Sequence, residues 1–487
     1  MAPADSITMQ PNEPAVATYF DELMKTQLQS PPIQCGFAGE KKGKAIFATK
    51  ALKAGEPIWT EAPFVAMQHE DNKEFVDACG NCFVPLVNSK EAWERVLTSS
   101  AEETDVATLQ DFEDAVAFLQ KEGGKSAEES YFSVFHLAAN QVKCECGVIY
   151  CSEKCKKIAY DEHHSILCTH SEDNESPMGK FVNHTLVTNE IFQLAAKILA
   201  KILRRFVSTH DMAHARQPVD MFCKMPWWEV ITSEDDLEEE GETLEQYRER
   251  FKSLLAQTHE HWMAGLRDNL ALLAAKDELN GLSVDAVLGS ADEVLNLDFF
   301  SRIVGMFEMN NISMEIDHPF HALGEALSEA STEDKKEMPV MLVKVKNALE
   351  KFSEEHKIHF HEEDDEESHE NCGHNHDHSH AHDHDHDHND DDEDDECFAV
   401  DDDFVGVEGT ALFSGICTMN HSCDPNCTVL YTKDGAAHVF AVHDVEAGEE
   451  LCISYIDVDQ DVEDRRECLR EYQFVCSCKR CEAELNA

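Results

Sequence analysis

Long apolar runs are missing from this 487-residue sequence: no stretch approaches about 18 uncharged apolar residues, so no membrane-spanning helix is expected. The opening residues, MAPADSITMQPNEPAV, place no basic flank ahead of an apolar segment, which argues against a secretory leader. Positive charge is scarce as well. Against 98 Asp and Glu there are only 40 Lys and Arg, a formal net charge of −58. Such a balance opposes tight binding to a bare phosphate backbone and favours basic protein partners, so no direct nucleic-acid contact is expected. Internal repeats and a triad-like acid–base motif are also absent. With secretion set aside, the 19 cysteines read as reduced thiols of a cytoplasmic and/or nuclear protein. Clustered thiolates in a reducing compartment usually hold metal.

At 42% apolar the chain can bury a real core, and its length suits two or three structural units. A polar lead carries one short helix over 15–28. Residues 32–68 read as strands, with Ile46-Phe47-Ala48 and Pro57-Ile58-Trp59 flanking a turn at Lys53-Ala54-Gly55. An acidic, helix-prone insertion follows near 90–135, strongest over 92–97 and 109–119. Over 186–206 apolar residues recur at Ile191, Leu194, Ala195, Ile198, Leu199, Ile202 and Phe206, the period of an amphipathic helix. A second helical stretch covers 244–279. Residues 298–316 and 404–456 return to strand-like patterning, with turns at Asp434-Gly435 and Glu446-Ala447-Gly448. Between them, 361–403 holds 21 acidic side chains, ten histidines and no Lys or Arg. This composition predicts a solvated low-complexity loop between folded pieces, dense enough in imidazole to take up Zn²⁺ or Ni²⁺ opportunistically.

The cysteines arrive in close pairs. Zinc takes four N/S ligands tetrahedrally, and short Cys-x₂₋₃-Cys loops supply two of them without straining the backbone. Cys79-x₂-Cys82, Cys144-x-Cys146, Cys151-x₃-Cys155 and His164-x₃-Cys168 offer eight candidate ligands, enough for two sites. Near the end of the chain, Cys476-x-Cys478-x₂-Cys481 gives three ligands and lacks a fourth. Cys423, within Met419-Asn420-His421-Ser422-Cys423-Asp424-Pro425-Asn426, is the natural candidate and would staple the tail over the body of the domain. Cys35, Cys223, Cys372, Cys397, Cys417, Cys427, Cys452 and Cys468 are assigned to core or loop.

Four segments, in order, resemble the SET and MYND domain family of lysine methyltransferases. Lys42-Gly43-Lys44-Ala45-Ile46-Phe47-Ala48 with Ala54-Gly55-Glu56 is similar to the first SET strands. Residues 79–168 resemble a MYND zinc finger inserted where this family splits its SET domain. Asn420-His421-Ser422-Cys423-Asp424-Pro425-Asn426, followed by Gly448-Glu449-Glu450-Leu451-Cys452-Ile453-Ser454-Tyr455, resembles the SET signature region. Phe474-Val475-Cys476-Ser477-Cys478-Lys479-Arg480-Cys481 resembles the post-SET zinc tail, and the lack of a sizeable helical domain after it resembles the short branch of the family.

The resemblance implies an α+β, SET-domain β-clip fold with an inserted MYND zinc finger, a helical SET-insert region and a post-SET zinc tail. Its implied segments are a polar lead (1–31), SET N-terminal strands (32–78), the finger with its internal insertion (79–168) and a helical insert (169–297). They continue with more SET (298–360), the acidic insert (361–403), the SET C-terminal core (404–465) and the zinc tail (466–487). By the family's cross-braced pairing, Cys79, Cys82, Cys151 and Cys155 would hold one zinc, and Cys144, Cys146, His164 and Cys168 a second. The single residue between Cys144 and Cys146 departs from the family's usual two: either the loop is tighter, or one of the pair or His163 substitutes. Cys423, Cys476, Cys478 and Cys481 would complete three structural zinc sites.

The implied reaction is methyl transfer from S-adenosylmethionine to the ε-amine of a lysine in a basic protein, such as a histone or ribosomal protein. The alternative is a non-catalytic MYND/SET adaptor, with proline-containing peptides as the implied partner at the finger. Tyr455 matches the tyrosine bordering the transfer pore. Asn420 and His421 match cofactor contacts, and Phe474 matches an aromatic that packs on adenine. Lys42 and Lys44 match the loop facing the methionine carboxylate. Either Asn310 or Asn311 matches a cofactor-touching asparagine.

Overall fold

The computed structural model of the chain describes residues 14–99, 107–122, 140–231, 243–321, 323–324, 327, 339–356, 404–472 and 474–485. The His/Asp-rich segment 361–403, with Cys372 and Cys397, lies outside the described residues.

Strands from the two ends of the chain interleave. β1 (Ile33–Phe37) and β2 (Lys44–Ala48) form a hairpin, and β3 (Pro57–Glu61) and β4 (Val65–Gln68) follow closely. Next come β5 (Val142–Lys143), β6 (Ile149–Tyr150), β7 (Ile312–Ile316) and β8 (Val407–Leu412). The set closes with β9 (Asn420–His421), β10 (Cys427–Tyr431), β11 (Ala437–Ala441) and β12 (Glu450–Ile453). Among the described residues four small sheets result: β1-β2-β12-β9, β10-β11-β3 and β4-β8-β7, each joining early strands to late ones, and the two-stranded β5-β6. The two-residue side-chain period is visible in β11, where Ala437, Val439 and Ala441 are buried and His438 and Phe440 are not. Together the inward faces bury one core that includes Ile46, Trp59, Phe413, Val439 and Leu451.

The predicted N-terminal helix runs over Pro14–Thr26. Val16, Tyr19, Phe20 and Leu23 are buried against the strand core, the i, i+3, i+4, i+7 positions of one helical face. A second core belongs to the helices Pro177–Leu186, Ile191–Thr209, Leu244–Ala275 and Leu297–Asn310. The longest of them begins with a capping box, Thr243 and Gln246 satisfying each other's backbone N–H groups. Ile191–Thr209 is joined to the strands by two lysines: Lys197 Nζ donates to Ala66 O (2.8 Å) and Lys201 Nζ to Phe64 O (2.6 Å). Those carbonyls belong to β4 and the residue before it, and β4 is an edge strand, so the ammonium groups satisfy acceptors that no strand pairs. Burial pushes the Lys197 pKa down to about 7.

One expectation fails. Residues 298–316 were predicted as strand, yet Leu297–Asn310 is an α-helix and only Ile312–Ile316 is a strand. The helix is buried on most of its circumference, at Phe299, Phe300, Ile303, Val304, Met306 and Phe307. An all-round apolar run carries no period with which to tell helix from strand. Asn296 caps it, its side chain accepting from Phe299 N–H, and that cap is the local signal that decides for helix.

A third, separate core joins two parts of the sequence that lie far apart. The helices Ser89–Ser99 and Leu109–Glu122 pack with Val340–His356 and with Phe320, Leu323 and Phe404. Trp93 stacks on Phe112 at 4.8 Å, and Phe320 and Phe352 each lie 5.0 Å from Phe404. Within the predicted insertion, Ser89–Ser99 and Leu109–Glu122 are therefore helical and form an annex with Val340–His356, which precedes the acidic tract.

Candidate active site and metal centres

Three groups of ligands meet in the fold. Cys79, Cys82, Cys151 and Cys155 converge, as do Cys144, Cys146, His164 and Cys168, and Cys423, Cys476, Cys478 and Cys481, with the donor atoms of each group within 4.8 Å of one another. All of these cysteines are free thiols. Sulfur–sulfur separations include 3.5 Å for Cys151–Cys155, 3.8 Å for Cys144–Cys168 and 3.4 Å for Cys423–Cys481. Four sulfurs about 2.3 Å from one zinc would stand about 3.8 Å apart, so the spacing suits a shared tetrahedral ion and is far too long for a disulfide. The donor sets, Cys₄ and Cys₃His, suit structural zinc and leave no open position for a water.

In the second group it is His164 that faces the cysteines, its Nε2 lying 3.3 Å from Cys144 Sγ and 3.4 Å from Cys146 Sγ. His163 turns away and is buried, its Nδ1 2.7 Å from Ala159 O. Local structure orients the sulfurs. Ser152 caps the Glu153–Ala159 helix by accepting from Cys155 N–H, and Asn81 Nδ2 donates to Cys155 Sγ. In the tail group, Arg465 is 1% exposed, ion-paired to Glu484 at 2.5 Å and 3.9 Å from Cys481 Sγ. Four thiolates around a divalent ion leave excess negative charge, and a buried guanidinium beside them offsets it.

The strand signature folds into a crossing beside that tail group. β9 pairs in parallel with β12, Cys452 opposite Asn420 and Ile453 opposite His421. Ser422 N–H continues the pairing to Ile453 O (3.0 Å). Asn426 locks it, donating to Glu450 O (2.9 Å) and accepting from Cys452 N–H (2.8 Å). His421 Nδ1 accepts from Tyr455 N–H (3.1 Å), so in the neutral ring Nε2 carries the proton. Burial, with Arg465 and Lys42 nearby, pushes its pKa down to about 4. The Tyr455 hydroxyl donates to Met419 O at 2.5 Å, and burial raises its pKa so that it stays a phenol.

Most of the residues expected at the cofactor gather here. The Phe474 ring lies 5.9 Å from His421 and 6.3 Å from Tyr455, edge-on to the latter. Lys42 Nζ pairs with Glu450 Oε2 (2.8 Å), and Asn420 Nδ2 donates to Glu450 Oε1 (2.8 Å) and to Lys44 O (3.1 Å). Lys44 opens β2, with its ammonium over the rings of Phe20 (5.9 Å) and Phe222 (5.8 Å). Burial pushes its pKa down to about 8. Asn310 Nδ2 donates to Cys223 O (3.3 Å), beside that Phe222, and to Met306 O (2.7 Å). Asn311 ends its helix through a backbone bond to Phe307 O. The Asn310 side chain is thus the one joined to the Lys44 neighbourhood.

Three participants escaped the sequence reading. Tyr472 lies 5.3 Å ring to ring from Tyr455, and its place two residues before Phe474 was the available signal. Glu450 ties Lys42 to Asn420, and Glu61 sits beneath the turn that precedes β9. Neither carboxylate stands in a recognisable spacing. Among the residues gathered at the crossing, no paired general acid and base is present.

A family model for the SET domain matches residues 220–456. Histone-lysine N-methyltransferase ATXR2 of Arabidopsis thaliana is 25% identical over 358 residues, which cover 68% of this chain but only 60% of that relative's length. Protein-lysine N-trimethyltransferase SMYD5 of Danio rerio is 22% identical over 488 residues, covering 96% of this chain and 91% of the relative. N-lysine methyltransferase SMYD2 of Gallus gallus is 44% identical over 85 residues, 17% of this chain and 19% of the relative.

Proposed function

We propose that the chain is a protein-lysine N-methyltransferase of the SET-domain, SMYD kind to which it is similar, and that it uses S-adenosylmethionine to methylate lysine in a basic protein, through the crossing around Tyr455. S-adenosylmethionine supplies an electrophilic methyl group on a sulfonium. The acceptor amine must be neutral, yet a free lysine, with a pKa of about 10.4, is almost wholly protonated near pH 7. A desolvated channel beside a sulfonium disfavours the ammonium form, which removes the need for a dedicated base.

Specific roles follow for this chain's residues. The Tyr455 hydroxyl has its proton committed to Met419 O, so its oxygen lone pairs remain to accept from the amine and contact the methyl group. Phe474 stacks on the adenine. Asn420 and His421 contact the adenine and amino-acid ends, Asn310 or Asn311 adds a further cofactor contact, and Lys42 with Lys44 meets the methionine carboxylate. Tyr472, packed on Tyr455, walls the lysine channel.

Zinc at the three thiolate groups would be structural, two ions forming a MYND-type finger and the third a post-SET tail that closes the channel wall. Thiolate sites suit a reducing compartment, and residence in cytoplasm and/or nucleus is part of the proposal. The excess of acidic over basic residues favours a lysine-rich target such as a histone tail or ribosomal protein.

The observation that carries this reading is the convergence of Tyr455, His421, Asn420, Phe474 and Lys42 on one parallel crossing. Calorimetric titration with S-adenosylmethionine, followed by radiolabelled methyl transfer to histones and ribosomal extracts, tests it. Saturable binding with label on lysine is expected. Zinc-replete protein that neither binds the cofactor nor labels any substrate would overturn it.

A further inference from the structure

Glu61, the last residue of β3, is 4% exposed, and among the described residues no Lys or Arg is ion-paired to it. Instead it accepts three N–H groups. Its Oε1 takes Gly415 N–H (2.8 Å), and its Oε2 takes Ile416 N–H (3.1 Å) and the Trp59 indole (3.3 Å). Burial raises the Glu61 pKa, and the Gly415, Trp59 and Ile416 donors oppose that rise. A carboxyl group in an apolar core is costly where an aliphatic side chain would fill the space, so its placement calls for a task beyond packing.

The task is legible in what the two backbone donors begin. Gly415 and Ile416 open the 3₁₀ turn Ile416–Thr418, closed by Thr418 N–H to Gly415 O (3.0 Å) and Met419 N–H to Ile416 O (2.9 Å). The turn delivers Met419, whose carbonyl accepts the Tyr455 hydroxyl, and then enters β9. Gly415 is cut to fit: a Cβ there would stand 2.8 Å from Glu61 Oε2. Tyr19, from the N-terminal helix, holds the preceding residue through a bond to Ser414 Oγ (2.9 Å). A carboxylate that fixes the start of a single tight turn fixes where its last carbonyl points.

We propose that Glu61 is a positioning residue for methyl transfer, holding the Met419 carbonyl so that it orients the Tyr455 hydroxyl, which rests on the placement of Tyr455 at the transfer pore given above. Both carboxylate oxygens accept, so a glutamine of equal size must aim its NH₂ at an N–H and lose at least one anchor.

Glu61→Gln, Tyr455→Phe and the double variant, all in the full chain, separate positioning from mere stability. Glu61→Gln is expected to lower kcat by about ten-fold while the KM for S-adenosylmethionine stays within about two-fold. In the Tyr455→Phe background the same change costs less than about two-fold, because the group it positions is gone. Equal losses in both backgrounds would overturn the proposal. A second readout needs no turnover: with ¹³Cζ-labelled tyrosine, the Tyr455 resonance, identified by its loss in Tyr455→Phe, shifts in Glu61→Gln. An unmoved resonance overturns the positioning role even if the chain methylates lysine. A shifted resonance in a chain that methylates nothing keeps the positioning geometry and removes the reading of Tyr455 as a pore residue. Should Glu61→Gln fail to fold, Gly415→Ala displaces the same turn from the carboxylate and is read by the same resonance.

Discussion

The β9–β12 crossing with its zinc-type tail and the helical annex around Trp93 occupy one chain but are held together by opposite means. At the crossing, short polar bonds dominate: Asn426 to two backbone groups of β12, His421 to Tyr455 N–H, four thiols around one point. In the annex the stabilising contacts are rings and aliphatic side chains, Trp93 on Phe112 and Phe404 among Phe320 and Phe352. Polar constellations require particular residues at particular separations, whereas apolar packing requires only volume and periodicity. The first kind of region leaves a readable signature in sequence; the second leaves almost none.

The largest expected effect falls on the tail. Cys478→Ser should remove one zinc per chain and nearly all methyl transfer, while hydrogen exchange in the annex stays as in the parent. Metal analysis of purified protein checks the first point, and an unchanged zinc content would dissolve the contrast drawn here. In the annex, Trp93→Ala should cost about 3–5 kcal/mol locally. Hydrogen exchange should rise across Ser89–Ser99, Leu109–Glu122 and Val340–His356, with S-adenosylmethionine affinity unchanged. Loss of that affinity would mean the two regions are coupled.

Smaller effects sharpen the picture. Tyr455→Phe should lower kcat by about ten-fold, about 1.4 kcal/mol of barrier, with cofactor affinity within about two-fold by calorimetry. The smallest effect lies at the seam between strands and helices, where His69 Nδ1 meets Glu190 Oε1 at 2.5 Å. The bond to Glu190 raises the His69 pKa, so its stabilisation is complete below about pH 6.5 and is lost as pH rises through the folded value. Both side chains are partly exposed, which keeps the contribution below about 1 kcal/mol. His69→Gln should therefore lower Tm measurably at pH 5.5 and hardly at pH 8.5; an equal loss at both would remove the charge from the account.

Legibility followed the same division. The ligand pairs were visible because metal geometry demands close spacing, and Ile191–Thr209 because one face of it alternates with the other at 3.6 residues. The Asn420–Tyr455 region was visible because its polar residues cluster in sequence as well as in space. Leu297–Asn310 was misread because burial all round erases periodicity. The union of Leu109–Glu122 with Val340–His356 could not be read, since interchangeable apolar residues do not specify a distant partner. Glu61 was hidden for a related reason: two of its three donors are backbone N–H groups some 354 residues away, and a backbone N–H is the same at nearly every position.

In the first sheet, Leu451 lies opposite Ile46 and Glu450 opposite Phe47. During synthesis the β1–β2 hairpin must therefore wait, with one edge unpaired, until β12, about 400 residues further along, has left the ribosome. At roughly 5–20 residues per second that interval is on the order of half a minute or longer. A nascent chain in this condition is a substrate for chaperones and an open template for pairing with its neighbours, so its yield should depend on how that edge is guarded before the last strand arrives.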